Sequence, residues 1–191
     1  PLLMKFLEKV DRIVCTSENY LNSSKFLSIF HKKCDVVPIN LNEKDYPNFT
    51  SKKLENLRKV YGQKFFLFVG SSRTYKGIDN LIEAAERSQF PLIIAGTSID
   101  DNKKFEKYRK IRSIQFLGKV SQEIKVSLLQ LCHAVILPST GRNEAFGISL
   151  LEGLRYGKPL ISTDLHTGTS EVNKHMVSGL VIKPRSIDAI C

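Results

Sequence analysis

From Phe65 onward the chain alternates short apolar runs with stretches of helical spacing, and that alternation restricts it to one class of fold. Phe65-Phe-Leu-Phe-Val69, Pro91-Leu-Ile-Ile-Ala95, Ile114-Gln-Phe-Leu117, His133-Ala-Val-Ile-Leu137 and Pro159-Leu-Ile-Ser162 read as strands. Several are apolar almost throughout, which is how a parallel strand reads when helices cover both of its faces. Helical patterns lie between them at 78–87, at 121–132 and around Phe146, Leu150, Leu151 and Leu154. Strand, loop, helix and strand in repeated succession predict an α/β fold with a doubly wound parallel sheet. Ligands of such sheets bind beyond the carboxyl ends of the strands, so chemistry is expected in the loops after these runs.

One of those loops carries two carboxylates. Ser139 to Pro159 reads as a polar loop, a helix and the entry to the next strand, with Gly157 and Pro159 marking the helix end. Glu144 and Glu152 bracket it with seven residues between them. Phe146 and Gly147 are expected to open the helix, where amides lack intrahelical partners and the helix dipole favours an anion. Gly147 is expected to let a ligand come close to the backbone. Ionised carboxylates only accept hydrogen bonds, so they suit sugar hydroxyls and would repel a phosphate. The pattern fits a phosphate on the helix start and a polyhydroxylated ligand with one carboxylate near each end.

A second loop, Gly70-Ser-Ser-Arg-Thr-Tyr-Lys-Gly77, also joins a strand's carboxyl end to a helix. Arg73 and Lys76 can reach phosphate oxygens from it.

Together these stretches resemble the donor-binding motifs of the family-4 retaining glycosyltransferases, which have the GT-B fold. The resemblance rests on Glu144, seven residues and Glu152, with Phe146-Gly147 between them, Gly157-Lys-Pro159 after them and Pro138-Ser139 before. It covers nearly the whole chain. It implies a Rossmann-like C-terminal domain in which Glu144 contacts the donor sugar and Glu152 the nucleotide ribose. Main-chain groups of Ala145, Phe146, Gly147 and Ile148 would hold the diphosphate. Gly70 and Lys76-Gly77 match the family's Gly-Arg-x-x-x-x-Lys-Gly element, whose Arg and Lys clamp that diphosphate. The family's Arg position is Ser71 here, so Arg73 of the same loop is expected to replace it. Gly96 would lie close to the nucleotide, and Lys119 and Val120 would line the base pocket through their main chain. Glu144, Lys76 and Arg73 are thus the expected catalytic set. The reaction implied is transfer of a hexose, with retention, from a GDP- or UDP-sugar to a saccharide or lipid-linked acceptor, with no metal and no prosthetic group. Thr167 to Asn173 resembles the mannosyltransferase-like members that build bacterial surface polysaccharide of the O-antigen type.

Residues 1–50 are similar to the end of the family's N-terminal domain and the interdomain linker, and residues 51–191 to the C-terminal nucleotide-sugar-binding domain. The chain is accordingly expected to be a piece of a longer enzyme, with the acceptor side mostly on a missing N-terminal half and little turnover by itself. Within 1–50, Leu2 to Lys9 reads as a helix end, Ser17 caps a helix expected to reach Phe30, and Asn40 to Thr50 reads as a polar linker. Ser51 is expected to cap a basic helix, and 102–110 reads as a charged, exposed helix.

The formal net charge of +10 fits nucleotide-sugar phosphates or an anionic membrane face such as the inner side of the plasma membrane, where the protein would be peripheral, and the cysteine usage fits the cytoplasm. It comes without the stacking aromatics of a nucleic-acid binder. The four cysteines lack metal spacing and read as reduced thiols, and the four histidines, His166 included, have no ligand spacing. Three other readings stay open on sequence: a GT-B sugar-nucleotide epimerase, a non-catalytic nucleotide-sugar-binding module, and a nucleic-acid binder driven by charge.

Overall fold

The apolar runs become the strands of one sheet. The structure, a computed structural model, describes residues 2–101 and 103–191. In the first quarter of the chain lie α1 (Leu2–Lys9), β1 (Ile13–Cys15), α2 (Glu18–Ser23) and β2 (Cys34–Val36), with β1 and β2 forming a two-stranded parallel sheet. Then follow α3 (Ser51–Tyr61), β3 (Phe66–Val69), α4 (Ile78–Ser88), β4 (Leu92–Ala95), β5 (Ile114–Gly118), α5 (Gln122–Leu131) and β6 (Ala134–Leu137). The chain continues through α6 (Ile148–Arg155), β7 (Leu160–Thr163), α7 (Thr169–Val172) and β8 (Gly179–Ile182).

Strands β3 to β8 make a six-stranded parallel sheet in the order β5-β4-β3-β6-β7-β8. This is the doubly wound arrangement expected from sequence. Every residue of β4 and of β6 is buried, as two covered faces require. The helices bring Ile78, Leu81 and Ile82 of α4, Leu128 and Leu129 of α5 and Leu150 of α6 into the same core. Each such side chain stabilises the fold by about 1.5–3 kcal/mol when fully buried. The register Phe66↔Leu92, Phe66↔Ala134 and Val135↔Leu160 sets β3, β4, β6 and β7 side by side, so their loops emerge on one rim.

Four local expectations are corrected. The helix begun at Ser17 ends at Ser23, well short of Phe30, and a 3-10 stretch takes over at Leu27–Lys33. Ser24 is extended (φ −85°, ψ 118°), and the Ser23 hydroxyl lies 2.5 Å from both the Asn19 and the His166 carbonyl oxygens, with one proton to give to either. A run of Asn and Ser competes with the helix for backbone partners in this way. The cap of α3 is Thr50, whose Oγ1 accepts from the Lys53 amide, and Ser51 is already helical. The charged stretch at 103–108 is a 3-10 helix, with Asn102 outside the described residues, and it buries Phe105 and Tyr108. Three residues per turn put those two rings on one side and leave the charges to solvent. Finally, Tyr46 of the polar linker is buried.

Candidate functional site

The strand order reverses between β3 and β6, since β4 and β5 lie to one side of that pair and β7 and β8 to the other. A reversal of this kind opens a crevice at the carboxyl ends of the two strands. The loops after β3 and β6 are 70–77 and 138–147, the two that sequence picked out. They are joined by main chain, with the Thr140 amide donating to the Tyr75 carbonyl at 2.7 Å. Gly77 makes this closeness possible. It sits at φ +70°, and a Cβ there would lie 2.0 Å from the Pro138 carbonyl oxygen.

Across the join, Lys76 Nζ donates to Glu144 Oε2 at 2.7 Å. The Ser139 hydroxyl donates to the same oxygen at 3.3 Å. The two charged side chains are 17% and 9% exposed, so the attraction acts where water screens it poorly. Glu144 is also held by its backbone: its amide donates to Gly141, and its carbonyl accepts from the Thr167 hydroxyl at 2.8 Å. The carboxylate is therefore fixed at the crevice by both neighbouring loops.

Glu152 lies on α6 and is buried as well. Lys125 of α5 donates Nζ to its Oε1 at 2.6 Å, and the Tyr46 hydroxyl donates to the same atom at 2.7 Å. Burial, followed by the carboxylate beside it, pushes the Tyr46 phenol above its ordinary range. Each glutamate is thus held through one oxygen by one lysine and one hydroxyl.

The start of α6 differs from expectation. Phe146 lies outside the helix, buried, and Gly147 is the cap at φ +84°. A Cβ on Gly147 would meet Leu150 at 2.9 Å and Thr169 at 3.3 Å, so its bare side faces the interior. The glycine is needed for the left-handed turn and the tight packing, and the expectation that its bare side admits a ligand is corrected. The following helix is eight residues long; the amides of Leu150 and Leu151 donate to the Gly147 carbonyl at 2.9 and 3.3 Å, which leaves those of Ile148 and Ser149 at its open end.

The remaining expected residues divide. A side chain on Gly70 would crowd the Lys76 stem at 3.1 Å, and one on Gly96 would meet the Gly70 carbonyl at 2.8 Å. Thr97 Oγ1 donates to the Gly70 carbonyl, the Gly96 amide to Gly118, and the Gly118 amide to Thr97, stitching the loops after β3, β4 and β5 together. Lys119 is exposed, and the Val120 side chain packs on the core. Ala145 gives its carbonyl to the Gly168 amide, and Ile148 is 48% exposed on the rim. Arg73 starts the 3-10 turn Thr74–Lys76, exposed, and takes no part in the Glu144 cluster. His166 is exposed at φ +51° beside Asp164.

Tyr46 and Lys125 escaped the sequence reading, and Ser139 and Thr167 entered it only as parts of the resemblance, without their contacts to Glu144. Ser139 directly follows a strand run, which is a usable signal. Tyr46 and Lys125 carry none, because only packing brings the linker and α5 to Glu152. Among the described residues, no three His, Cys, Asp or Glu side chains come together to hold a metal ion, and no helix is long and apolar enough to cross a membrane.

Comparison with known proteins places these features in a family. The profile described as glycosyl transferases group 1 matches residues 50–191. The chain is 43% identical over 186 residues to the D-rhamnosyltransferase WbpZ of Pseudomonas aeruginosa, covering 96% of this chain and 49% of that protein. It is 42% identical over 192 residues to the O-antigen chain mannosyltransferase C of Escherichia coli, covering 100% of this chain and 52% of that one. The chain therefore spans about half the length of these relatives. Among solved structures, HepE of Anabaena in complex with UDP-glucose superposes with a TM-score of 0.79 at 19% identity, over 97% of this chain and 54% of HepE. WaaG, a glycosyltransferase of lipopolysaccharide biosynthesis, gives 0.69 at 20% identity, over 94% and 51%. Both are of GT-B type, the fold class expected from sequence.

Proposed function

The chain belongs to the group 1 glycosyltransferases, and on that premise we propose that its six-stranded sheet binds a nucleoside diphosphate sugar. The whole protein would transfer the hexose to a saccharide or lipid-linked acceptor in O-antigen or lipopolysaccharide synthesis. The observation that carries this reading is the 2.7 Å pair between Lys76 and Glu144 across the reversal of strand order. A cation beside a carboxylate at that point suits a ligand that is anionic at one atom and rich in hydroxyls at the next.

In the proposed mechanism, Lys76 Nζ leaves Glu144 for the diphosphate oxygens as these enter. Arg73 adds a second cation from the exposed start of the same turn, and amides at Gly147 and Ile148 add main-chain donors. Negative charge grows on the diphosphate as its bond to the anomeric carbon breaks, and these groups stabilise it. Glu144, freed from Lys76, accepts from the sugar hydroxyls and supports the positive character at the anomeric carbon, whose configuration is retained. Glu152 accepts from the ribose, and the main chain of Gly96, Lys119 and Val120 lies beside the base.

Residues 1–50 are assigned to the end of an N-terminal, acceptor-side domain and its linker, and 51–191 to the donor domain. The mannosyl and rhamnosyl names of the two relatives support a hexose of manno configuration; its carrier in this reading is GDP or UDP, the latter being the nucleotide of the HepE complex. The net charge of +10 supports work at the cytoplasmic, anionic face of the membrane.

The test is a donor screen on the full-length protein with GDP-mannose, GDP-rhamnose and UDP-glucose and a lipid-linked acceptor, with anomeric configuration read by NMR. Transfer with retention from one of these donors is expected. Conversion of the donor sugar without acceptor, or no turnover with any donor, would overturn the reading.

A further inference from the structure

Two side chains meet Glu152, and they meet it on one oxygen. The Tyr46 hydroxyl and Lys125 Nζ both donate to Oε1, at 2.7 Å and 2.6 Å. Tyr46 and Glu152 are 8% and 4% exposed. A carboxylate taken out of water needs its charge answered, and one cation with one hydroxyl on a single oxygen does so. Each carboxylate oxygen offers about two acceptor sites, so Oε1 is filled and Oε2, outside both contacts, keeps its capacity. Vicinal hydroxyls are the ligand groups that suit such an oxygen.

Tyr46 is itself held in place. The Gln122 side chain donates to the Asp45 carbonyl at 2.6 Å, and Arg155 donates to the Tyr46 carbonyl at 3.4 Å. Lys125 Nζ lies 5.3 Å over the Tyr46 ring. Helices α5 and α6 therefore grip the segment that delivers the hydroxyl. The phenol keeps its proton across the neutral range, since burial and the carboxylate both oppose its loss. Tyr46 precedes residue 50, where the family match begins.

We propose that Tyr46 is a positioning residue for Glu152, pinning Oε1 together with Lys125 so that Oε2 accepts from the ribose hydroxyls of the nucleotide. This rests on the reading of Glu152 as the ribose contact. Ribose recognition then depends on a residue that does not touch the ligand, carried by the segment between β2 and α3.

The test is calorimetric titration of the full-length protein with GDP and UDP and with their 2′-deoxy forms, for wild type, Glu152→Gln and Tyr46→Phe. Wild type is expected to prefer the ribonucleotide, and Glu152→Gln to abolish that preference. Loss of one hydrogen bond to a charged group should make Tyr46→Phe lower the preference about tenfold. A full preference in Tyr46→Phe, with none in Glu152→Gln, overturns the role of Tyr46. A preference that survives Glu152→Gln overturns instead the assignment of Glu152 to the ribose. If Tyr46→Phe does not fold, Lys125→Gln acts on the same oxygen and takes its place: a lowered preference is again expected, and a full one overturns the pinning of Oε1.

Discussion

The two glutamates are anchored by the same chemistry from different places. Glu144 takes Lys76 and Ser139, both from loops on the sheet rim. Glu152 takes Lys125 from a helix and Tyr46 from the segment ahead of α3. The first anchor is built by topology, because the reversal of strand order brings its loops together. The second is built by packing of a helix face against a linker. In the proposed reaction the rim anchor sits where charge would develop, and the packed anchor would set the pose of the nucleotide.

That contrast can be broken most forcefully at the rim. Glu144→Gln and Lys76→Met should each lower transfer by the full-length protein about 100-fold or more, as removal of a group stabilising developing charge does. Lys76→Met should also cost about 2 kcal/mol of stability in denaturant unfolding, because it leaves a nearly buried carboxylate without its cation. The double variant should regain most of that stability and none of the transfer. Recovery of both would make the pair purely structural.

The join between the two loops is the next point to test. Gly77→Ala places a Cβ on the Pro138 carbonyl in a left-handed backbone. It should cost about 2 kcal/mol in thermal or denaturant unfolding and weaken donor binding, while ribose discrimination set at Glu152 stays intact. Loss of that discrimination too would mean that the two anchors are one unit. A smaller effect is expected at Arg73. It is exposed and outside the Glu144 cluster, so Arg73→Ala should lower nucleoside diphosphate affinity only about threefold. A loss as large as that of Lys76→Met would give the two cations equal weight.

The smallest effect is at the cysteines, which neither anchor uses. Burial pushes the Cys132 thiol up to about 12, whereas Cys191 is exposed. Maleimide labelling at pH 8, read by mass spectrometry, should mark Cys191 first and Cys132 only after unfolding. The neutral thiol is the form the fold favours, so stability from Cys132 should be present below pH 9 and fall as pH rises towards 12.

The sheet could be read in the sequence because its strands are buried on both faces. Phe65 to Val69 and Leu92 to Ala95 are apolar runs too short for a helix, and each is closed by a glycine, Gly70 and Gly96. The two loops of the rim anchor were readable for the same reason, since loops beyond the carboxyl ends of parallel strands share one rim; that Lys76 and Ser139 both bond Glu144 was not. The end of α2 was not readable, because the Ser23 hydroxyl in its last turn meets the His166 carbonyl, 143 residues away in sequence, and Ser24 turns extended. Tyr46 was not readable either. Its burial comes from the linker folding onto α5 and α6, and Asn40 to Thr50 has no periodicity to announce that contact. Phe105 and Tyr108 were hidden by the charges around them, since a three-residue spacing buries two rings in an otherwise polar stretch.

The central claim is that Lys76 faces the diphosphate and Glu144 the sugar. It is tested most directly by calorimetry of wild type, Lys76→Met and Glu144→Gln with GDP or UDP and with the matching nucleotide sugar. Lys76→Met should weaken both ligands. Glu144→Gln should weaken only the nucleotide sugar and leave the bare diphosphate bound at least as tightly as in wild type, because it frees the lysine. Equal losses on the bare diphosphate from the two substitutions, or none from either, would contradict the account.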